Sequence, residues 1–248
     1  MKYRKLEGTD LTVPQYVLGT GDYASNVPAD IARDLLKTYV DCGGTMLDTS
    51  HYYGSFLVGG RSLSECLVGD FLQENHLREQ VLISTKGCGY ATTTPYQKRM
   101  TPSYLRSDIP ESLRNLHTDY IDFYWLHQDD PSQPVGAILE ELNRCVEEGK
   151  IRYFGCSNWK IERILEADAY AEAHGLRKFS ANQVMLNMAY PNMTAVDELI
   201  QTWLTPGMRK YHERTQRPVF AYCSQASGFF YNCFKDDYME NIGYSYSR

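Results

Sequence analysis

A chain of 248 residues, 43% hydrophobic and 23% charged, has the length and composition of one large folded domain, and its net charge of −6 without a basic block offers no footprint for nucleic acid. No apolar run approaches the roughly 18 residues of a membrane span, and residues 1–7 lack the apolar stretch of a secretory signal, so a cytoplasmic protein is expected. The seven cysteines are scattered, with no Cys-x-x-Cys pair; they read as reduced thiols, mostly buried as small apolar residues, and not as a metal site.

Residues 2–14 read as a short hairpin turned at Gly8-Thr9-Asp10 and stopped by Pro14. Short apolar runs then begin near Tyr16, Thr45, Val81, Tyr120, Ile151, Phe179 and Pro218, and each of the first six precedes a helical pattern. Pro28 opens the first helix, with Ile31, Leu35 and Tyr39 as its inward stripe and Gly43-Gly44 as its stop. Thr101-Pro102 opens the third helix, which Pro110 is expected to kink or split. Residues 134–148 form an amphipathic helix with Ile138, Leu142 and Val146 inward and Gly149 as terminator. Ile161, Leu165 and Ala169 supply the next stripe. Thr194-x-x-Asp197 is a candidate capping box, and Thr205-Pro206-Gly207 looks like an interruption after it.

Seven strands in such an alternation point to a (β/α)8 TIM-type barrel in a single domain over residues 1–248, with reactive residues at the C-terminal strand ends. Residues 224–248 are too few for another helix, strand and closing helix. The barrel is therefore expected to lack its eighth strand and last helices, leaving two exposed edges.

Three successive runs end on groups that bear chemistry: Asp48, Lys86 and His127. Tyr53 follows Asp48 by five positions in a loop that Gly54 closes. A carboxylate at the tip of a buried strand is costly to desolvate unless it meets a cation, and Lys86 is the nearest candidate. A lysine beside a tyrosine favours the tyrosinate and eases proton donation, while a histidine can polarise a carbonyl or share the proton.

With these residues in place, the chain resembles the aldo-keto reductases from the hairpin to about Gly228. Asp48, Tyr53, Lys86 and His127 match the family's catalytic tetrad; the blocks 149–152, 155–158, 182–184 and 221–224 are similar to further family blocks. The resemblance implies reduction of aldehydes or ketones to alcohols by hydride from NADPH (NADH possible), with Tyr53 as proton donor. It implies that Ser157, Asn158 and Gln183 bind the nicotinamide carboxamide, that Tyr222 stacks on the ring, and that Ser224, Ser227 and Gly228 lie in the pyrophosphate loop. That loop reads Ser224-Gln225-Ala226-Ser227-Gly228 where relatives often carry Ser-Pro-Leu. The implied partner is a small-molecule carbonyl compound, with no nucleic acid or membrane, in a monomer or weak homo-oligomer.

Each residue also has a plainer reading. Asp48 alone could cap a turn, and Ser157 and Asn158 read first as caps of the helix that follows. Tyr222 divides evenly between core packing and stacking, Trp125 reads as core, and His51 and Tyr52 as loop or pocket wall. Gly19-x-Gly21-x-x-Ala24 formally matches a dinucleotide fingerprint, but a helix must start at those glycines for it to work, and here the helix starts near Pro28. Two functions of other classes remain open: a catalytically weak binding or regulatory module that keeps the fold, and a Rossmann dehydrogenase built on residues 19–24.

Overall fold

The computed structural model describes residues 1–55, 61–90, 97–189 and 201–234. Strands β1 (Tyr3–Lys5) and β2 (Thr12–Pro14) pair antiparallel, and seven further strands form one parallel sheet. In chain order these are β3 (Leu18–Gly19), β4 (Met46–Asp48), β5 (Leu82–Gly87), β6 (Ile121–Leu126), β7 (Ile151–Ser157), β8 (Asn182–Met185) and β9 (Val219–Tyr222). Each strand pairs with its sequence neighbour and each of the first six is followed by a helix, the order of an incomplete TIM-type barrel.

The helices are α1 (Ala29–Asp41), α2 (Leu63–Glu74), α3 (Pro102–Asn115), α4 (Val135–Glu147), α5 (Ile161–His174), α6 (Pro206–Thr215) and the single turn α7 (Phe229–Asn232), seven among the described residues. They cover the outer face of the sheet, so β6 is buried along its whole length. A second cluster, including Leu6, Leu11, Met46, Phe123 and Trp125, fills the space inside the curl over the hairpin. Gly155 lets this interior close: a Cβ there would stand 2.5 Å from the Ala181 carbonyl oxygen and 2.6 Å from the Trp125 ring. β3 and β9 are the two edges of the sheet, and β9 accordingly has no fully buried residue. A groove of about 620 Å³ runs beside β9, lined among others by Val13, Tyr16, Val17, Phe220 and Ser224.

Several sequence expectations need correction. In α1 the buried residues are Ala32 and Leu36, whereas Ile31 and Leu35 are 51% and 44% exposed. In α5 they are Ile164, Ala167 and Ala171, with Leu165 exposed. One position is a turn of about 100° around a helix, and small alanines bring the axis closer to the sheet than a stripe chosen by side-chain size. Pro110 lies inside an uninterrupted α3. The cost of an interior proline, about 3 kcal/mol, is offset by burial of Leu105 and Ile109 at about 1.5–3 kcal/mol each. Thr205-Pro206 begins α6: Thr205 is its N-cap and accepts a hydrogen bond from the Met208 N–H. The proposed box at Thr194 lies outside the described residues. Of the cysteines, only Cys88, Cys145 and Cys156 are buried; Cys42 and Cys223 are exposed. Residues 20–28 carry turns and α1 starts at Ala29, so the Gly19–Ala24 match lacks the helix a dinucleotide fingerprint requires.

Candidate active site

Asp48 ends β4 and pairs in register with Ser84 of β5, two residues before Lys86. Side chains alternate across a strand, so Ser84 and Lys86 share the face that meets the carboxylate. Lys86 Nζ donates to Asp48 Oδ2 at 2.5 Å and to the Thr49 carbonyl at 2.8 Å. Ser84 Oγ donates to Asp48 Oδ1 at 2.7 Å, and Gln183 Nε2 donates to Oδ2 at 3.3 Å. Behind Ser84, the Trp125 indole N–H donates to its hydroxyl at 2.7 Å. Three donors thus converge on the carboxylate, none of them a backbone N–H of a turn.

Lys86 is 2% exposed, and its ammonium lies 4.9 Å from the Tyr53 ring centroid. The loop that brings Tyr53 there is fixed by Ser62, which caps α2 and donates to the carbonyls of Ser50 at 2.8 Å and Tyr53 at 3.1 Å. Gly54 takes φ +74° in that loop, where a Cβ would meet Leu63 at 2.9 Å. A Cβ at Gly21 would stand 3.8 Å from the Tyr53 ring, an ordinary contact distance. The glycine of the failed fingerprint thus lies beside the phenol ring.

His127 follows β6, continuing the ladder by donating its N–H to Gly87 O at 2.9 Å. Its imidazole stands edge-on to Tyr53, with centroids 5.9 Å apart at 87°, and to Tyr52 at 6.2 Å and 83°. Nδ1 lies 3.2 Å from Ser50 Oγ, which orients the ring. His51 is buried, with Nε2 3.2 Å from Glu111 Oε2 on α3.

Electrostatics set the protonation states. Burial pushes the Tyr53 phenol above its ordinary value of 10, the Lys86 ammonium pulls it back, and the net shift is upward. The expected easing of ionisation is present but outweighed, and the phenol is a full acid at neutral pH. Burial alone would lower Lys86, yet the Asp48 carboxylate raises it, so it stays charged. Burial, aided by the Lys86 charge, lowers His127 to about 3, making it neutral at pH 7. An unfolded histidine titrates near 6.5, so between about pH 3 and 6.5 the unfolded chain binds the extra proton and stability falls on acidification. Between pH 5.5 and 4, wild type is expected to lose about 1.4 kcal/mol per pH unit more than His127→Gln in urea unfolding. Equal slopes would show that the imidazole is not held neutral.

Ser157 and Gln183 are register partners ending β7 and lying in β8, buried to 1% and 5% exposure. Asn158 donates to His127 O at 3.0 Å, and its Oδ1 accepts from Tyr222 OH at 2.7 Å. Neither Ser157 nor Asn158 caps α5, whose N-cap position is Lys160. Tyr222 is half-buried and packs on Met185 and Ala226. Ser224 is exposed on the wall of the groove beside β9. Ser227 lies in the turn Ala226–Gly228, its side chain outside the description, and Gly228 takes φ +80°. Sequence reading missed Ser84, Ser50 and the indole N–H of Trp125; the two-residue spacing of Ser84 from Lys86 was the available signal.

The family profile described as Aldo/keto reductase family matches residues 16–230. The chain belongs to this family. Among curated relatives, norsolorinic acid reductase of Aspergillus flavus is 32% identical over 67% of this chain and 42% of its own length. Aldo-keto reductase YhdN of Bacillus subtilis is 28% identical over 71% of this chain and 53% of its own. The 6-dehydroglucose reductase of Novosphingobium aromaticivorans is 33% identical over 65% and 53%. The chain spans about half the length of these curated relatives. Among the described residues, no helix is long and apolar enough to cross a membrane.

Proposed function

We propose that this chain reduces an aldehyde or ketone of a small molecule to the alcohol, with Tyr53 donating the proton and NADPH or NADH as cofactor. The observation that carries the reading is the Lys86 ammonium, clamped by Asp48 at 2.5 Å and set 4.9 Å from the Tyr53 ring, with a neutral His127 edge-on to the same ring. A bound nicotinamide cofactor supplies the hydride that no side chain can provide. As the carbonyl oxygen gains negative charge, the Tyr53 hydroxyl gives up its proton to it, completing the alcohol and leaving tyrosinate. The adjacent ammonium stabilises that anion, and Asp48 keeps the ammonium charged and aimed. Neutral His127 can donate one N–H to the carbonyl without competing as an acid.

The residues present fit a nicotinamide. Ser157 and Gln183 set two buried polar groups side by side at the rim, where a planar amide can pair, and Tyr222 offers a half-exposed ring nearby. Asn158 belongs to the same group of contacts, and Ser224, Ser227 and Gly228 would hold the pyrophosphate. The alternative of a binding or regulatory module finds no support in the family comparisons.

Titrating the full chain with NADPH and NADH while following nicotinamide fluorescence, then measuring turnover of a simple aldehyde, tests the reading. Micromolar binding of one cofactor with turnover is expected. Failure to bind either at millimolar concentration would overturn it.

A further inference from the structure

We propose that Ser50 is a positioning residue: its hydroxyl donates to Nδ1 of His127 and so keeps the imidazole proton on Nε2, the nitrogen left for the reacting carbonyl. The inference rests on the reductase reading proposed above and deepens it by naming what sets the tautomer of the histidine.

The backbone fixes where this hydroxyl stands. The pairing of β4 with β5 continues past Asp48, with the Thr49 N–H donating to Ser84 O at 2.8 Å and the His51 N–H to Lys86 O at 2.9 Å. Side chains still alternate over that stretch, so Ser50 shares the face of Asp48. The Ser62 hydroxyl holds the Ser50 carbonyl at 2.8 Å, and Ser50 is wholly buried.

A serine hydroxyl has one proton to give and two lone pairs. Three groups surround Ser50 Oγ: the Tyr52 N–H at 3.1 Å, the Lys86 carbonyl at 3.2 Å and His127 Nδ1 at 3.2 Å. The N–H can only donate, and it fills one lone pair. The carbonyl can only accept, but the His51 N–H already supplies it at 2.9 Å, and 3.2 Å is longer than an ordinary O–H···O bond. The hydroxyl proton is therefore free for Nδ1. That nitrogen is closely walled, since a Cβ at Gly89 would stand 3.2 Å from it. Ser50 Oγ is its one hydrogen-bond partner among the described residues.

The imidazole is neutral at pH 7 and carries a single proton. A carbonyl oxygen only accepts, so a histidine that polarises it must present an N–H. Among the described residues nothing hydrogen-bonds to Nε2, and this nitrogen can present an N–H only if Nδ1 is bare. A bare, enclosed nitrogen needs a donor of its own, and the Ser50 hydroxyl is within reach to be that donor.

The test reads the tautomer directly, by long-range proton–nitrogen NMR of the full chain at pH 7 without ligand. The sequence holds six histidines, and the signals lost in His127→Gln identify the one concerned. Wild type is expected to show a proton on Nε2 and a bare Nδ1. A proton on Nδ1 would overturn the proposal, because Ser50 would then be accepting. In Ser50→Ala the partner of Nδ1 is gone and the two tautomers should mix. There kcat for reduction of a simple aldehyde should fall by roughly 2- to 10-fold, the range of one hydrogen bond, with NADPH and NADH affinity unchanged. A serine that merely shaped the loop would leave the tautomer as in wild type; that result, or an unchanged kcat, would overturn the positioning role. Should Ser50→Ala fail to fold, the wild-type spectrum decides alone. Absence of wild-type binding to either cofactor at millimolar concentration would remove the reductase reading itself; binding and turnover with the proton on Nδ1 removes only the role of Ser50.

Discussion

Replacing Tyr53 with phenylalanine is expected to lower kcat for aldehyde reduction by about 10²- to 10⁴-fold, the usual contribution of a positioned general acid, with cofactor affinity unchanged. The ring makes the contacts that place it: it stands edge-on to His127 and lies beneath the Lys86 ammonium. All of these survive in phenylalanine, and only the hydroxyl proton is lost. Substrate KM should move little, because the lost interaction develops as charge appears on the reacting oxygen. Initial-rate kinetics beside a fluorescence titration separate the two quantities. A Tyr53→Phe variant with full kcat would remove the tyrosine from the chemistry.

Lys86→Met is expected to destabilise the fold by about 3–5 kcal/mol at pH 7 as well as abolish turnover. The substitution keeps an unbranched side chain of similar length but leaves the Asp48 carboxylate without its cation. Asp48 would retain bonds from Ser84 and Gln183, which lessen the penalty without supplying charge. The loss should diminish at low pH, where a stranded carboxyl can protonate, and in Asp48→Asn/Lys86→Met, where no charge is left unpaired. Urea unfolding of the two single variants and the double variant measures this directly. Strict additivity would mean that the two side chains do not act as a pair.

The strand ends of this protein were legible because parallel strands covered on both faces read as unbroken apolar runs, and a charged residue ending such a run marks the rim. Asp48, Lys86 and His127 could be found by that rule, and Tyr53 by its distance from Asp48. Helix faces were less legible. Leu36 and Leu35 differ by one position, and the buried face includes the small Ala32, which large-residue stripes do not register. Thr205-Pro206 illustrates a missed parallel: the same Thr-Pro pair at 101–102 was correctly taken as a helix start. The polar contacts across the rim were beyond local reading. Gln183 meets Asp48 across 135 residues and Tyr222 meets Asn158 across 64, and neither pairing leaves a periodic trace.

Those separations have a kinetic consequence. The hydrogen bonds around Asp48 draw on β4, β5 and β8, and the indole behind Ser84 adds β6. Loop-closure entropy must be overcome for each such long-range contact before it contributes anything, which makes assemblies of this kind slow to complete. Helical content can therefore return early in refolding while the rim is still unformed, and closure of the hydrogen bonds around Asp48 marks the last docking of the sheet.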